Sequence, residues 1–136
     1  MKKIGLLIIV FISLVSCSND SNSEEDARYT GTDYYGKWTN IYTKEDFTDQ
    51  YVFNKDNTFT RAKKVNGVTT NLSGTFEIFT RDERPNFQLT YSGPSNLIYS
   101  CYSGFGGNSE LLYIYNGYLE NSAEMCDYKL TYKKDK

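Results

Sequence analysis

The chain opens on an apolar run over residues 4–12, interrupted only by Gly5, with Lys2 and Lys3 before it and Leu14-Val15-Ser16-Cys17 soon after it. A run this short cannot hold a bilayer-spanning helix, and a basic start, an apolar stretch and a small residue before a break form an export signal. The alternative, a buried helix ending at an ordinary thiol, leaves the flanking residues unexplained. Residues 18–26, Ser-Asn-Asp-Ser-Asn-Ser-Glu-Glu-Asp, hold no apolar side chain and no positive charge. They bury too little surface to offset the entropy of ordering, so a disordered tether is expected. Beyond about residue 34 the pattern changes to a period of two. Phe87, Leu89 and Tyr91 share one face, with Gln88 and Thr90 opposite; Tyr128, Leu130 and Tyr132 do the same against Lys129, Thr131 and Lys133. Such alternation marks half-buried strands. Strands are predicted at 36–43, 50–54, 58–64, 69–80, 87–91, 97–103, 110–115 and 127–133. Turns are predicted at 54–57, Asn66-Gly67, Arg84-Pro85-Asn86, 92–94, 104–108 and Asn116-Gly117. The two Asn-Gly pairs favour type I′ hairpins and hence antiparallel neighbours. Helical periodicity is lacking after the leader, with room for one helical turn at 120–125.

About eight short strands joined by short loops suit an antiparallel sheet that curls and closes, because closure removes exposed edges. The expected fold is all-β, a small up-and-down barrel. Gly36-Lys37-Trp38 resembles the Gly-x-Trp that opens lipocalin barrels. It is followed by Tyr51-Val52-Phe53-Asn54-Lys55-Asp56-Asn57-Thr58-Phe59, by Gly74-Thr75-Phe76-Glu77-Ile78, and by Tyr128-Lys129-Leu130-Thr131-Tyr132-Lys133-Lys134. In this order, over residues 34–134, the features are similar to small lipocalin-like lipoproteins of Bacteroidota. No arginine follows Arg84, so Lys129 or Lys133 would have to cover the Trp38 indole where lipocalins use an arginine.

Leu14-Val15-Ser16-Cys17 likewise resembles the bacterial lipobox. That resemblance implies a lipidated Cys17, with palmitate-type acyl chains as the membrane anchor, and cleavage just before it. The organisation expected is therefore a signal peptide (1–16), a lipidated cysteine and acidic tether (17–33) and a lipocalin-like barrel domain (34–134). Two or three acyl chains, at about 0.8 kcal/mol per buried CH₂, anchor far more firmly than one. The acidic stretch after Cys17 resembles the segment that marks surface-exported lipoproteins, though a plain solvated spacer fits it equally well. The expected location is the outer membrane, lipid-anchored, with cell-surface exposure implied by that second resemblance.

Net charge is −2, and loss of Lys2 and Lys3 takes it to about −4. With no basic stripe, nucleic acid is not an expected partner. Of the three cysteines, lipidation of Cys17 leaves Cys101 and Cys126 as a pair in an oxidising-compatible setting. A disulfide there would close a loop of about 26 residues and stabilise the fold by roughly 3.5 kcal/mol; two free buried thiols are the alternative. The chain has no histidine, which removes His-based acid–base catalysis and most zinc sites. Gly104-Phe105-Gly106-Gly107 opens no helix and makes no phosphate cradle. The acidic pairs Asp46/Asp49, Asp82/Glu83 and Glu120 with Glu124 or Asp127 fall in or beside predicted loops, where carboxylates are ordinary surface. No catalytic residue, metal site or cofactor is expected.

The thirteen tyrosines and eight phenylalanines are what remains. If the barrel holds a cavity, alternation nominates Phe53, Phe76, Tyr91, Tyr99 and Tyr113 for its lining and Trp38 for its floor. The competing reading is that these rings simply fill a small barrel. Three functions stay open: binding a small apolar or amphipathic ligand, binding a protein through loops such as 104–108 and 120–124 as an adhesin or enzyme inhibitor, and a glycan-contacting accessory role beside an outer-membrane uptake complex.

Overall fold

Alternating side chains along nearly every segment after residue 35 leave the chain little choice but to pair strand with strand. In the computed structural model it does so in ten strands: β1 (Gly36–Asn40), β2 (Phe47–Phe53), β3 (Thr58–Val65), β4 (Val68–Arg81), β5 (Arg84–Tyr91), β6 (Tyr99–Ser100), β7 (Gly104–Phe105), β8 (Ser109–Tyr115), β9 (Tyr118–Asn121) and β10 (Thr131–Lys134). The structure describes residues 33–101, 104–105, 107–126 and 129–136. The segments expected as leader and tether, Cys17 included, lie outside these up to residue 32, as do Asp127 and Tyr128.

Eight of the strands close an antiparallel barrel in the order β1-β2-β3-β4-β5-β8-β9-β10, with β10 pairing back onto β1. The fold is thus the expected all-β, up-and-down barrel. The Asn-Gly hairpins are where they were expected, with Asn66, Gly67, Asn116 and Gly117 all at positive φ. The seventh barrel strand, however, is β9 at 118–121, where a loop and helical turn had been expected. The segment 97–103, expected as a barrel strand, instead contributes β6, which pairs with β7 in a separate hairpin. Turn chemistry also misled at Arg84-Pro85-Asn86. The β4–β5 reversal uses Asp82 and Glu83, both at positive φ, and Pro85 lies inside β5 opposite Thr80.

The barrel has two unlike ends. At the floor lie the tight turns after β2, β4 and β8, and the entering chain. The Trp38 indole donates to the Tyr34 carbonyl at 3.0 Å, Tyr34 packs edge-on against Phe87, and Tyr35 lies against Phe76. The residue opposite Trp38 on β10 is Lys134. At the other end, the lid, lie the β1–β2 loop, the β3–β4 turn and the long connections after β5 and β9. The first of these carries the β6–β7 hairpin and the second the 3₁₀ turn Ser122–Cys126. A Cys101–Cys126 disulfide joins the two lid connections, with Cα atoms 6.0 Å apart. Gly74 shows how tightly the wall is drawn: a Cβ there would lie 2.0 Å from the Thr90 carbonyl oxygen.

Candidate functional site

Inward side chains change character from floor to lid along each long strand. On β2 the inward series is Phe53, Tyr51, Asp49; on β3, directly opposite, it is Phe59, Arg61, Lys63. β5 gives Phe87, Leu89, Tyr91 and β8 gives Ile114, Leu112, Glu110. The floor half is therefore a ring cluster. Phe53 meets Phe76, Phe87 and Tyr51 at centroid distances of 4.9, 5.3 and 5.8 Å. The lid half is a charged cluster, every member of which is buried.

Arg61 organises that cluster. Its Nε and Nη2 donate to the two Asp49 oxygens at 2.9 and 2.7 Å, the bidentate arrangement that suits a planar guanidinium. Nη1 donates to Glu110 Oε2 at 3.3 Å and to the Leu97 carbonyl at 3.2 Å, so the lid is part of the network. Tyr51 and Tyr91 both donate to Glu110 Oε2, at 2.7 and 2.6 Å. Tyr132 donates to Asp49 Oδ2 at 2.9 Å. Lys63 Nζ sits 3.8 Å from Asp49 Oδ2 and 4.1 Å from the centre of the Tyr99 ring, beneath the lid.

Burial opposes charge on Arg61, but Tyr51, Glu110, Tyr132 and Tyr91 around it outweigh that, and its pKa stands well above the ordinary value. Burial, with Glu110 second, raises Tyr91; burial, against the pull of Arg61, raises Tyr51 and Tyr132. These phenols are locked as donors. Burial and then Arg61 push Lys63 down to about 8, despite Asp49 and Glu110. Two cations face two carboxylates, so the cluster is internally neutral. Among the described residues, Glu110 Oε1 and, on β1, Asn40 Nδ2 are the buried side-chain atoms without a hydrogen-bond partner.

Trp38, Phe53, Phe76 and Tyr91 are all buried in the interior, where they pack on one another and on Phe59, Phe87 and Leu89. Tyr99 belongs to the lid. Tyr113 sits on the other face of β8, between the inward Leu112 and Ile114, under the Arg84 guanidinium. Of the suspected loops, Gly104–Phe105 forms β7, and Glu120 is a buried strand residue paired with Lys129 at 3.3 Å. Asp49, expected at the surface beside Asp46, is buried because β2 begins three residues earlier than expected, at Phe47. Compared with protein-family models, curated proteins and solved structures, the chain finds no match in any of the three.

The charged cluster escaped the sequence reading, although its signal was there. Asp49 is in phase with Tyr51 and Phe53, Arg61 and Lys63 with Phe59, and Glu110 with Leu112 and Ile114. Charges in phase with core residues on several strands of one barrel, summing to zero, mark a buried network. Chemically, this one offers hydrogen bonds already made. An arginine ringed by tyrosine hydroxyls could seat a ligand carboxylate, but here Asp49 and Glu110 already hold that place. Among the described residues, no group of three or more His, Cys, Asp or Glu side chains is placed to hold a metal ion.

Proposed function

We propose that this is a membrane-anchored, non-catalytic lipoprotein that acts by binding a protein partner through its outer surface. The observation that carries the reading is the filled, charge-neutral barrel interior. Four of the rings nominated for a ligand cavity, Trp38, Phe53, Phe76 and Tyr91, occupy the core, and the polar half satisfies its arginine with the chain's own carboxylates. A small molecule would have to displace buried side chains and leave charges unpaired, at a cost of several kcal/mol.

The binding surface that fits best is at the lid end, away from where the chain enters. Tyr42 is 64% exposed and Val68 is 68% exposed, with Ile41 and Val65 also open to solvent. The β1–β2 loop leans on the β3–β4 turn, where Gly67 N donates to the Asp46 carbonyl. Exposed aromatic and aliphatic side chains beside Lys44, Glu45 and Lys64 make the apolar centre and charged rim of a contact site. The lipid anchor at Cys17 is supported by the lipobox-like Leu14-Val15-Ser16-Cys17, which lies outside the described residues.

Titrating residues 18–136 with a fluorescent fatty-acid analogue tests this reading. No saturable uptake is expected; saturable binding that Phe76→Ala alters would overturn it in favour of an internal ligand. In cells, a photo-crosslinker at position 42 should yield a discrete adduct that Val68→Ser diminishes.

A further inference from the structure

The outer wall at the floor end carries a second surface that the lid-end partner reading does not use. Strand register brings its residues together. On the outward face Phe79 pairs with Asn86, which pairs with Tyr113; one step nearer the floor, Arg81 pairs with Arg84, and Tyr115 with Tyr118. The Arg84 guanidinium lies 5.4 Å from the centres of both the Tyr113 and Tyr115 rings. Phe79 is 41% exposed and Tyr115 46%. Asn86 secures the turn beneath them by donating to the Arg81 and Arg84 carbonyls.

Aromatic rings with a polar tip, interleaved with arginines, are the side chains that settle at the boundary between headgroups and acyl chains. We propose that this patch, Phe79, Tyr113, Tyr115 and Tyr118 with Arg81 and Arg84, rests on the lipid bilayer to which the chain is anchored. The inference depends on the anchored reading above.

What selects a bilayer is where the chain enters. Residues 34 and 35 cross the floor beneath Phe87 and Phe76, on the two strands whose outer faces begin the patch. Fifteen residues, 18–32, lie between the anchor cysteine and Asp33, where the described chain begins. Even fully extended, a segment of that length reaches no further than about 55 Å. That length confines the floor end near the membrane without fixing its orientation, and it turns docking into an intramolecular step at an effective concentration in the millimolar range. An affinity too weak to recruit the free domain is then enough to hold the tethered one. The hairpin tip between the patch arginines carries Asp82 and Glu83, so Arg81–Arg84 is neutral overall. Docking accordingly rests on ring burial more than on attraction to anionic lipid, and depends little on salt.

The test replaces biological lipidation by a chemical bond, so that it stays informative even where natural acylation fails. Cys101 and Cys126 are bonded to each other, which leaves Cys17 as the single thiol for coupling the mature chain to a maleimide lipid in phosphatidylcholine vesicles. Phe79→Trp and Tyr42→Trp place reporters at the two ends, and nitroxide-labelled acyl chains quench whichever is at the bilayer. The emission F79W adds over the wild type should be largely lost in nitroxide vesicles, that of Y42W should persist, and Tyr115→Ser with Arg84→Ser should restore F79W. Circular dichroism of that variant checks that the barrel is intact. Equal emission from F79W with and without nitroxide, or stronger quenching of Y42W, would overturn the proposal.

Discussion

Arg61→Met is the perturbation that asks most of the charged cluster. Methionine keeps the length and packing of the side chain but removes the guanidinium and with it the bidentate pair to Asp49 and the contacts to Glu110 and the Leu97 carbonyl. Lys63 then faces two buried carboxylates alone, from 3.8 Å on the Asp49 side. Removing one partner of a buried ion pair costs about 3–5 kcal/mol, mostly because the partner is left charged and unpaired. A domain of this size has about 5–15 kcal/mol in all. With a urea slope of about 1.5 kcal/mol/M, the unfolding midpoint should fall by roughly 2–3 M.

The accompanying double variant separates the charge from the packing. Arg61→Met with Glu110→Gln removes one charge of each sign and leaves Lys63 with Asp49, so it should be more stable than Arg61→Met alone. The expected coupling is about 1–3 kcal/mol. Urea titrations followed by Trp38 fluorescence and by circular dichroism measure both. A loss below about 1 kcal/mol for Arg61→Met, or strictly additive effects, would show that the cluster is not held together by charge.

Stability should also depend on pH in a two-sided way. Lys63, held at about 8 against an ordinary 10.5, binds its proton more tightly in the unfolded chain, so stability rises as pH climbs from 8 towards 10.5. Tyr51, Tyr91 and Tyr132 are raised above their ordinary 10.0; what they contribute is intact below pH 10 and lost above it. Urea midpoints should peak between about pH 8 and 10, and Lys63→Met should flatten the rise and keep the fall. Reducing Cys101–Cys126 should add about two mass units, lower stability by roughly 3 kcal/mol, and speed amide exchange in the lid more than in β2–β5; unchanged lid exchange would count against the clasp. Labelling with a palmitate analogue should tag the wild type and not Cys17→Ala, and two unlabelled, soluble proteins would refute the anchor.

Period-two alternation specified the barrel because it is a local property of each strand. Where strands were misjudged, the deciding term was not local. Tyr118–Asn121 is too short to read as a strand, yet the Asn116-Gly117 hairpin folds it back on β8 and the barrel closes through it. The segment 97–103 reads as a strand, but Ile98 is needed to cover the interior from above. Likewise Asp49 and Glu110 look like surface until the strands opposite supply Arg61. A carboxylate's burial is decided by its partner, and that partner is 12 residues away for Asp49 and 49 for Glu110.

The cluster bears on how the strands find their register. Apolar alternation forbids a one-residue slip, which would turn the core face outward, but it does not distinguish slips of two. On β2 and β3 the native pairing sets Phe53 against Phe59, Tyr51 against Arg61 and Asp49 against Lys63. Sliding β3 by two residues one way would set Arg61 against Phe53, among the floor rings; sliding it the other way would set Phe59 against Tyr51 and carry Lys63 past Asp49 to the end of β2. Either slip keeps inward residues inward, but the first strands Arg61 among apolar rings and the second parts Lys63 from Asp49. The graded interior thus penalises the near-native pairings that an all-apolar barrel would tolerate. The same gradient explains the lid. Its covering residues must meet charge, so the Leu97 carbonyl and the Tyr99 ring do what apolar side chains do at the floor. A cover that meets buried charge gains from a covalent clasp, and the disulfide sits there.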